Sequence, residues 1–240
     1  MLGGLSMGGY IAFAFWRRHA ARVRALMLMD TKASADTDTA KEKRRELIAT
    51  VQRDGVGAVV PGMIPSQLGE TTRRDDPALV ERVEVMLRRA PASGVVAAAQ
   101  ALMDRTDSTP TLATITVPTL VLVGDEDTVT PIGDALDMAA AIRGSRLVTV
   151  PGAGHLAPLE QPAIVNAAIA GDHRRGAEDD GTTESDTKMM GTAHVIREQF
   201  TKKGSSPRPP VVLRDPRVLP LEINEQTGVS ASGDPAASGS

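Results

Sequence analysis

Two hydrophobic patterns alternate along the chain, and together they predict its fold class. Short uninterrupted apolar runs cover residues 23–30, 119–124 and 146–150, and each ends at a polar residue or a turn former. Runs of this kind are typical of strands buried on both faces. Between them, apolar residues recur every three or four positions, which indicates amphipathic helices. The alternation predicts an α/β fold with a mostly parallel sheet.

Three predicted helices accompany these strands. The second begins with Thr130 as N-cap and Pro131 in its first turn, and the third covers residues 162–170 and ends at Gly171. The first covers residues 7–19 and is predicted to turn one apolar stripe inward, formed by Met7, Ile11, Ala14 and Phe15.

The segment from residue 33 to residue 110 has a different texture, rich in charge and helical in its periodicity. Amphipathic stretches cover residues 41–54 and 95–103, and another helix starts at Asp76 and Pro77. Helices inserted into a parallel sheet usually lie over the edge that carries the site. We therefore predict a helical cap over residues 33–110, and a core formed by residues 1–32 and 111–171.

Residues 172–240 form a polar C-terminal segment. It contains six prolines and one aromatic residue, Phe200, so it has little apolar surface to bury. The composition predicts a disordered tail. Residues 211–223 are more apolar and could form a short strand or bind a partner, but a solvated tail is the better-supported interpretation.

Composition excludes several classes of function. A net charge of −3 argues against nucleic acid or an anionic membrane as a partner, because both require a basic surface. The absence of cysteine excludes disulfides and thiolate metal sites. Arg17 and Arg18 follow the apolar residues 2–16, whereas a signal peptide carries its positive charge in front. We predict a cytoplasmic protein.

Residues 4–8 match the pattern G-x-S-x-G, with Ser6 at its centre. A serine on a tight turn between a strand and a helix has strained backbone angles, and bulk at Gly4 or Gly8 is expected to collide with neighbouring backbone. The predicted helix starts beside the serine, so its amides would lie next to any anion formed there. The pattern indicates a nucleophile.

A serine hydroxyl needs a base, and the chain offers four histidines. His19 ends a predicted helix, and His173 and His194 lie in the predicted tail. His155 lies on a glycine-rich loop just after the strand at residues 146–150, where such sheets carry functional residues. We therefore take His155 as the candidate base.

A carboxylate is needed to orient the histidine and to favour its charged form. Three acidic residues follow the strand at residues 119–124, namely Asp125, Glu126 and Asp127. The residues alone leave all three open.

Three segments resemble the nucleophile, acid and histidine segments of the α/β-hydrolase family, in that family's order: GLSMGGYIAF, VGDEDTVTP and PGAGHLAPLEQP. The resemblance covers about residues 1–171 and implies a partial α/β-hydrolase fold. The family's pattern G-x-x-D-x-x-x-P falls on Gly124, Asp127 and Pro131, which favours Asp127 as the acid. Ser6, His155 and the backbone N–H of Met7, as oxyanion donor, carry over in the same way.

The resemblance is strongest to ester and enol-lactone hydrolases and to cofactor-free haloperoxidase-like enzymes; dehalogenases carry an aspartate in place of Ser6. It implies a serine hydrolase that cleaves a small carboxylic ester or lactone through an acyl-enzyme, without metal or cofactor. A perhydrolase or acyltransferase with the same triad, or a non-catalytic hydrolase fragment, stays open, as does the oligomeric state. Four of the five aromatic residues fall in the first helix, which favours compact aliphatic substrates.

One departure from the family concerns the region before Ser6. Family members have strands and helices there, with a His-Gly loop whose N–H completes the oxyanion hole. We therefore expect an N-terminally truncated fold in which residues 1–5 form an edge strand. We also expect impaired turnover, since loss of one oxyanion donor costs about 10²- to 10³-fold.

Overall fold

The computed structural model describes residues 1–178, with side chains to Gly171. Its centre is a parallel sheet in the order β1-β2-β3-β4. The strands are β1 (Leu2–Leu5), β2 (Leu26–Met29), β3 (Thr119–Gly124) and β4 (Arg146–Val150). Leu5 pairs with Met29, which pairs with Leu122, so the strands end along one edge. The predicted fold class, a partial α/β-hydrolase fold with a mostly parallel sheet, is confirmed.

Helices connect and cover these strands. They are α1 (Met7–His19), α2 (Asp38–Asp54), α3 (Val60–Gln67), α4 (Glu70–Asp75), α5 (Pro77–Arg88), α6 (Ala92–Met103), α7 (Thr109–Leu112), α8 (Ile132–Ala141), α9 (Ala157–Glu160) and α10 (Pro162–Glu178). Short 3₁₀ turns cover Ala20–Arg22 and Val56–Ala58. No helix within residues 1–178 is long and apolar enough to cross a membrane.

Both faces of the sheet are buried because side chains alternate along each strand. Val121 and Val123 face a cluster that includes Phe13 of α1 and Met138 of α8. Leu120 and Leu122, from the same strand, face a second cluster that includes Val165 of α10. Apolar residues at consecutive positions of β3 are thus explained by helices on both sides.

The predicted inward face of α1 is wrong. Met7 and Ile11 are 40% and 58% exposed, and the buried residues are instead Gly9, Ala12, Phe13 and Trp16. The helix is apolar around most of its circumference, so two stripes compete, and the stripe with Phe13 and Trp16 buries more area. Gly9 lets this face of α1 lie against Thr31, since a Cβ on Gly9 would lie 2.4 Å from Thr31 Oγ1.

Several predicted boundaries also differ from the structure. The strand predicted at residues 23–30 is shorter, at Leu26–Met29, and the helices predicted from residues 41 and 95 begin at Asp38 and Ala92. The N-cap of α8 is Pro131, and the helix starts at Ile132, because Thr130 is engaged in other contacts. The last helix continues through Gly171 to Glu178. A glycine weakens a helix by about 1 kcal/mol relative to alanine, which does not suffice to end one. The rest of the predicted tail, residues 179–240, lies outside the described residues.

Residues 33–110, which we call the cap segment, contain α2 to α6 and the start of α7. Helix α2 packs against α6, and α3 against α5. Four cap residues form a buried cluster with Leu156 from the loop after β4: Ile64, Leu68, Leu79 and Val83. Leu5, at the end of β1, packs against the same cluster. The cap segment therefore lies on the sheet edge where the strands end.

Candidate active site

Ser6 lies on the tight turn between β1 and α1, with φ 51° and ψ −113°. A positive φ is unfavourable for a non-glycine residue and persists only where surrounding contacts enforce it. The Ser6 N–H donates to the carbonyl of Met29 at 2.9 Å, and Thr31 Oγ1 donates to the carbonyl of Ser6 at 2.8 Å. These bonds to the neighbouring strand hold the strained turn in place.

The two glycines of the G-x-S-x-G pattern are not equivalent. A Cβ on Gly4 would lie 2.1 Å from the carbonyl carbon and oxygen of Gly8, so position 4 requires glycine. A Cβ on Gly8 would meet no atom within 4 Å, so the predicted collision at Gly8 is wrong. The backbone of Gly8 lies close to the Cα of Gly4, whereas the Cα of Gly8 faces open space.

His155 lies on the loop between β4 and α9 and is 2% exposed. Its Nε2 lies 2.7 Å from Ser6 Oγ, and its Nδ1 lies 2.8 Å from Asp127 Oδ2. The structure thus brings together a hydroxyl, an imidazole and a carboxylate from three loops at the same sheet edge.

Asp127 follows β3, is 5% exposed and accepts several hydrogen bonds. Its Oδ1 accepts from the backbone N–H of Val129 at 2.8 Å and of Thr130 at 3.0 Å. Its Oδ2 accepts from Thr130 Oγ1 at 2.6 Å. Burial alone would raise the pKa of Asp127, but the interactions with His155 and Thr130 outweigh it and hold the pKa below its ordinary value.

The other two acidic candidates have different partners. Asp125 Oδ1 accepts from the Gly152 N–H at 2.8 Å. Glu126 accepts from the backbone N–H of Thr71 in the cap segment, also at 2.8 Å. Among the three acids that the sequence left open, Asp127 is the one bonded to the imidazole.

The remaining histidines lie away from Ser6 or outside the described residues. The ring of His19 lies 5.0 Å from the ring of Phe15, at the far end of α1. The side chain of His173 and all of His194 fall outside the described residues.

Sequence reasoning missed two residues at this edge, Thr130 and Asp30. A threonine three positions after an aspartate is a common turn pattern, so Thr130 could have been recognised as a hydrogen-bond donor to Asp127. Asp30 directly follows β2 and is fully buried, and its Oδ1 accepts from the Gly124 N–H at 2.9 Å. Burial raises the pKa of Asp30 to about 8, and the charge of Asp127 adds to the effect, although the backbone N–H groups of Gly124 and Ala157 oppose it.

These contacts define what the site can do chemically. A hydroxyl bonded to an imidazole, itself bonded to an ionised carboxylate, is the arrangement by which serine loses its proton at neutral pH. Among the described residues, no group of three or more histidine or acidic side chains is arranged to hold a metal ion.

Residues 1–162 match the family described as the alpha/beta hydrolase fold. The chain belongs to this family. Compared with this α/β hydrolase, the AB hydrolase superfamily protein YisY of Bacillus subtilis is 30% identical over 178 residues, which covers 71% of this chain and 65% of that protein. The 3-oxoadipate enol-lactonase 1 of Acinetobacter baylyi is 28% identical over 159 residues, with coverages of 66% and 58%.

Among solved structures, this α/β hydrolase is similar to a thermophilic esterase from Thermogutta terrifontis. The identity is 44% and the TM-score 0.70, over 72% of this chain and 64% of the esterase. The chain therefore spans less than two thirds of the length of these relatives.

Proposed function

We propose that the protein is a serine hydrolase that cleaves a small carboxylic ester or lactone through an acyl-enzyme intermediate. The observation that carries the proposal is the continuous chain of contacts from Ser6 Oγ through His155 to Asp127, at 2.7 and 2.8 Å. Similarity to an esterase and to an enol-lactonase supports the ester or lactone as the bond cleaved.

The mechanism follows from the roles that these atoms can take. Ser6 Oγ attacks the carbonyl carbon while His155 Nε2 accepts its proton, and Asp127 stabilises the resulting imidazolium. Collapse of the tetrahedral intermediate breaks the bond to the leaving oxygen, which takes the proton from His155. Water, deprotonated by His155, then attacks the acyl-enzyme. The bond to Ser6 Oγ breaks, Ser6 Oγ takes the proton back from His155, and the acid is released.

The oxyanion of the tetrahedral intermediate needs donors next to Ser6. Met7 is the first residue of α1, and the first N–H groups of a helix have no intrahelical acceptor. The positive end of the helix dipole favours an anion at the same point. We assign the Met7 N–H as one oxyanion donor.

The surroundings of the site support a compact aliphatic substrate. Leu5 and Leu156 are the chain neighbours of Ser6 and His155. Leu156 belongs to the apolar cluster with α3 and α5 of the cap segment, and Leu5 packs against that cluster. The bulky aromatic residues Phe13 and Trp16 are buried on the other side of α1, away from this cluster. A cytoplasmic location stays a prediction.

Labelling with a fluorophosphonate probe tests the proposal, because such probes react with activated serines. The folded wild type should be labelled at Ser6, and labelling should vanish in Ser6→Ala and after denaturation. Ser145→Ala is the matched control, since Ser145 lies before β4 and bonds the carbonyl of Ala139. A folded wild type without labelling would contradict the proposal and favour a non-catalytic hydrolase fragment.

A further inference from the structure

The carboxylate of Glu160, at the end of α9, binds the backbone on both sides of His155. Its Oε1 accepts from the N–H of Gly154 at 2.9 Å and from the N–H of Leu156 at 3.1 Å. Amides that flank a residue determine where its Cα and Cβ lie. The carboxylate therefore constrains the imidazole without touching it.

The other oxygen of the same carboxylate binds the cap segment. Glu160 Oε2 accepts from the N–H of Gly69 at 2.8 Å and from Thr72 Oγ1 at 2.7 Å, both at the start of α4. A carboxylate offers about four lone-pair sites, so these four bonds use its full capacity. One side chain thus joins the histidine loop to the cap segment, across 91 and 88 sequence positions.

The backbones at this junction are in direct contact. A Cβ on Gly154 would lie 2.3 Å from the Gly69 nitrogen, and a Cβ on Gly69 would lie 2.9 Å from the Gly154 nitrogen. The histidine loop in turn lies on the end of β3, since a Cβ on Gly124 would lie 2.2 Å from the Ala153 oxygen. The cap segment, the histidine loop and the sheet edge are therefore stacked without intervening side chains.

We propose that Glu160 is a positioning residue, which fixes His155 Nε2 relative to Ser6 Oγ by clamping the histidine loop against the start of α4. This inference rests on the proposed function. Its consequence is that the placement of the cap segment and the placement of the base are coupled. Since a misplacement of about 1 Å can cost on the order of 10²-fold in rate, loosening the clamp should slow chemistry.

Glu126 provides a comparison within the same junction. Its carboxylate binds the cap segment at Thr71, through the backbone N–H at 2.8 Å and the hydroxyl at 2.5 Å. The carboxylate of Glu126 thus bonds to α4, whereas that of Glu160 bonds both to the start of α4 and to the amides beside His155. Glu126→Gln therefore loosens the cap contact alone, and Glu160→Gln loosens both.

The experiment compares Glu160→Gln, Glu126→Gln and the exposed control Glu81→Gln in the full chain. Amide hydrogen exchange is measured at residues 68–72 and 151–156, together with the rate constant of fluorophosphonate labelling from pH 5 to 9. In Glu160→Gln, exchange at Gly154 and Leu156 should accelerate at least about tenfold, and labelling should slow by about 10- to 100-fold at all pH values. Glu126→Gln should accelerate exchange at Thr71 and slow labelling less.

A second variant covers the case in which Glu160→Gln does not fold. Thr72→Val keeps the side-chain shape and removes one of the four bonds to Glu160, so it should slow labelling in the same direction by a smaller factor. Faster exchange at Gly154 and Leu156 with wild-type labelling rates would overturn the positioning role. Unchanged exchange in both variants would overturn the clamp itself.

Failure of the proposed function is distinguishable from failure of this inference. A wild type that is not labelled contradicts the hydrolase, and the clamp is then judged by exchange and by the NMR resonance of the His155 Nδ1 proton. His155 Nδ1 donates that proton to Asp127 Oδ2 in a hydrogen bond, and its resonance should disappear in Asp127→Asn. In Glu160→Gln it should shift or broaden. An unaltered resonance would contradict the clamp.

Discussion

Two buried carboxyl groups that follow neighbouring strands have pKa values shifted in opposite directions. Asp127, after β3, has a pKa below its ordinary value, whereas Asp30, at the end of β2, has a pKa raised to about 8. Burial acts in the same direction on both. The difference comes from their surroundings: Asp127 receives two backbone N–H groups, a hydroxyl and the imidazole, whereas the negative charge of Asp127 adds to the effect of burial on Asp30.

Asp30 receives fewer donors for the same burial. Its Oδ1 accepts from the Gly124 N–H, while its Oδ2 has no hydrogen-bond partner among the described residues. A proton removes the unfavourable charge, so burial favours the neutral form of Asp30 and raises its pKa to about 8. The comparison shows that depth of burial does not decide the charge of a carboxyl at this edge. The hydrogen-bond donors and charges around it do.

Asp127→Asn gives the largest expected effect. The amide preserves the shape but removes the charge that orients the imidazole and stabilises its protonated form, so ester hydrolysis should fall by about 10³- to 10⁴-fold. The measurement is kcat/KM with a small aliphatic ester. Asp30→Asn is the matched control, because an amide resembles the neutral carboxyl already present there, and should stay within about tenfold of wild type. Equal losses in the two variants would remove the distinction between these carboxyls.

Asp30→Asn should instead change how the free energy of unfolding depends on pH. The pKa of Asp30 is raised from 3.8 to about 8 on folding, so its contribution is complete below pH 4 and is lost as the pH rises to 8. The variant lacks this loss. Its free energy of unfolding should exceed that of the wild type at pH 9 by several kcal/mol, at about 1.4 kcal/mol per unit of pKa shift, and not at pH 4.

Denaturant unfolding at the two pH values measures this difference, and Asp107→Asn, on the exposed Asp107, is the control that should show no gain at pH 9. A stability difference of the same size at pH 4 and pH 9 would mean that Asp30 does not titrate on unfolding as described.

The contrast between Asp127 and Asp30 also indicates what the sequence could predict. Local pattern predicted β3 and β4 at their observed bounds, and parallel strands necessarily end at one edge, so loops carrying Ser6, Asp127 and His155 were expected to converge. Asp30 looked like a polar residue that terminates a strand. Its burial depends on packing against Gly124, 94 positions away, which no local pattern encodes.

The same limit applies to the cap segment and to α1. Glu160 bonds Gly69 across 91 positions, so its four contacts could not be inferred from its place in a short helix. On α1, the hydrophobic pattern allowed two inward stripes, and only the sheet decided between them. Amphipathicity predicts a helix reliably, but it fixes the buried face only where one side of the helix is polar.

Thr130→Val should give the smallest effect, because it removes one of the donors that separate Asp127 from Asp30. The valine keeps the shape and the backbone N–H bond but loses the hydroxyl bond to Asp127 Oδ2, so the pKa of Asp127 should rise towards its ordinary value. Activity should fall by about tenfold, the equivalent of one ordinary hydrogen bond.

Stability supplies the sharper measurement for Thr130→Val. The lowered pKa of Asp127 stabilises the fold at pH values above the ordinary pKa of an aspartate, and this stabilisation is lost as the pH falls. The difference in free energy of unfolding between variant and wild type should therefore be larger at pH 7 than at pH 3. Thr109→Val is the matched control, since Thr109 makes the same kind of bond to the exposed Asp107 at 2.8 Å, and its effect should be smaller. Equal effects of the two valines would show that burial does not strengthen the bond to Asp127, and the donors would no longer explain why Asp127 and Asp30 differ.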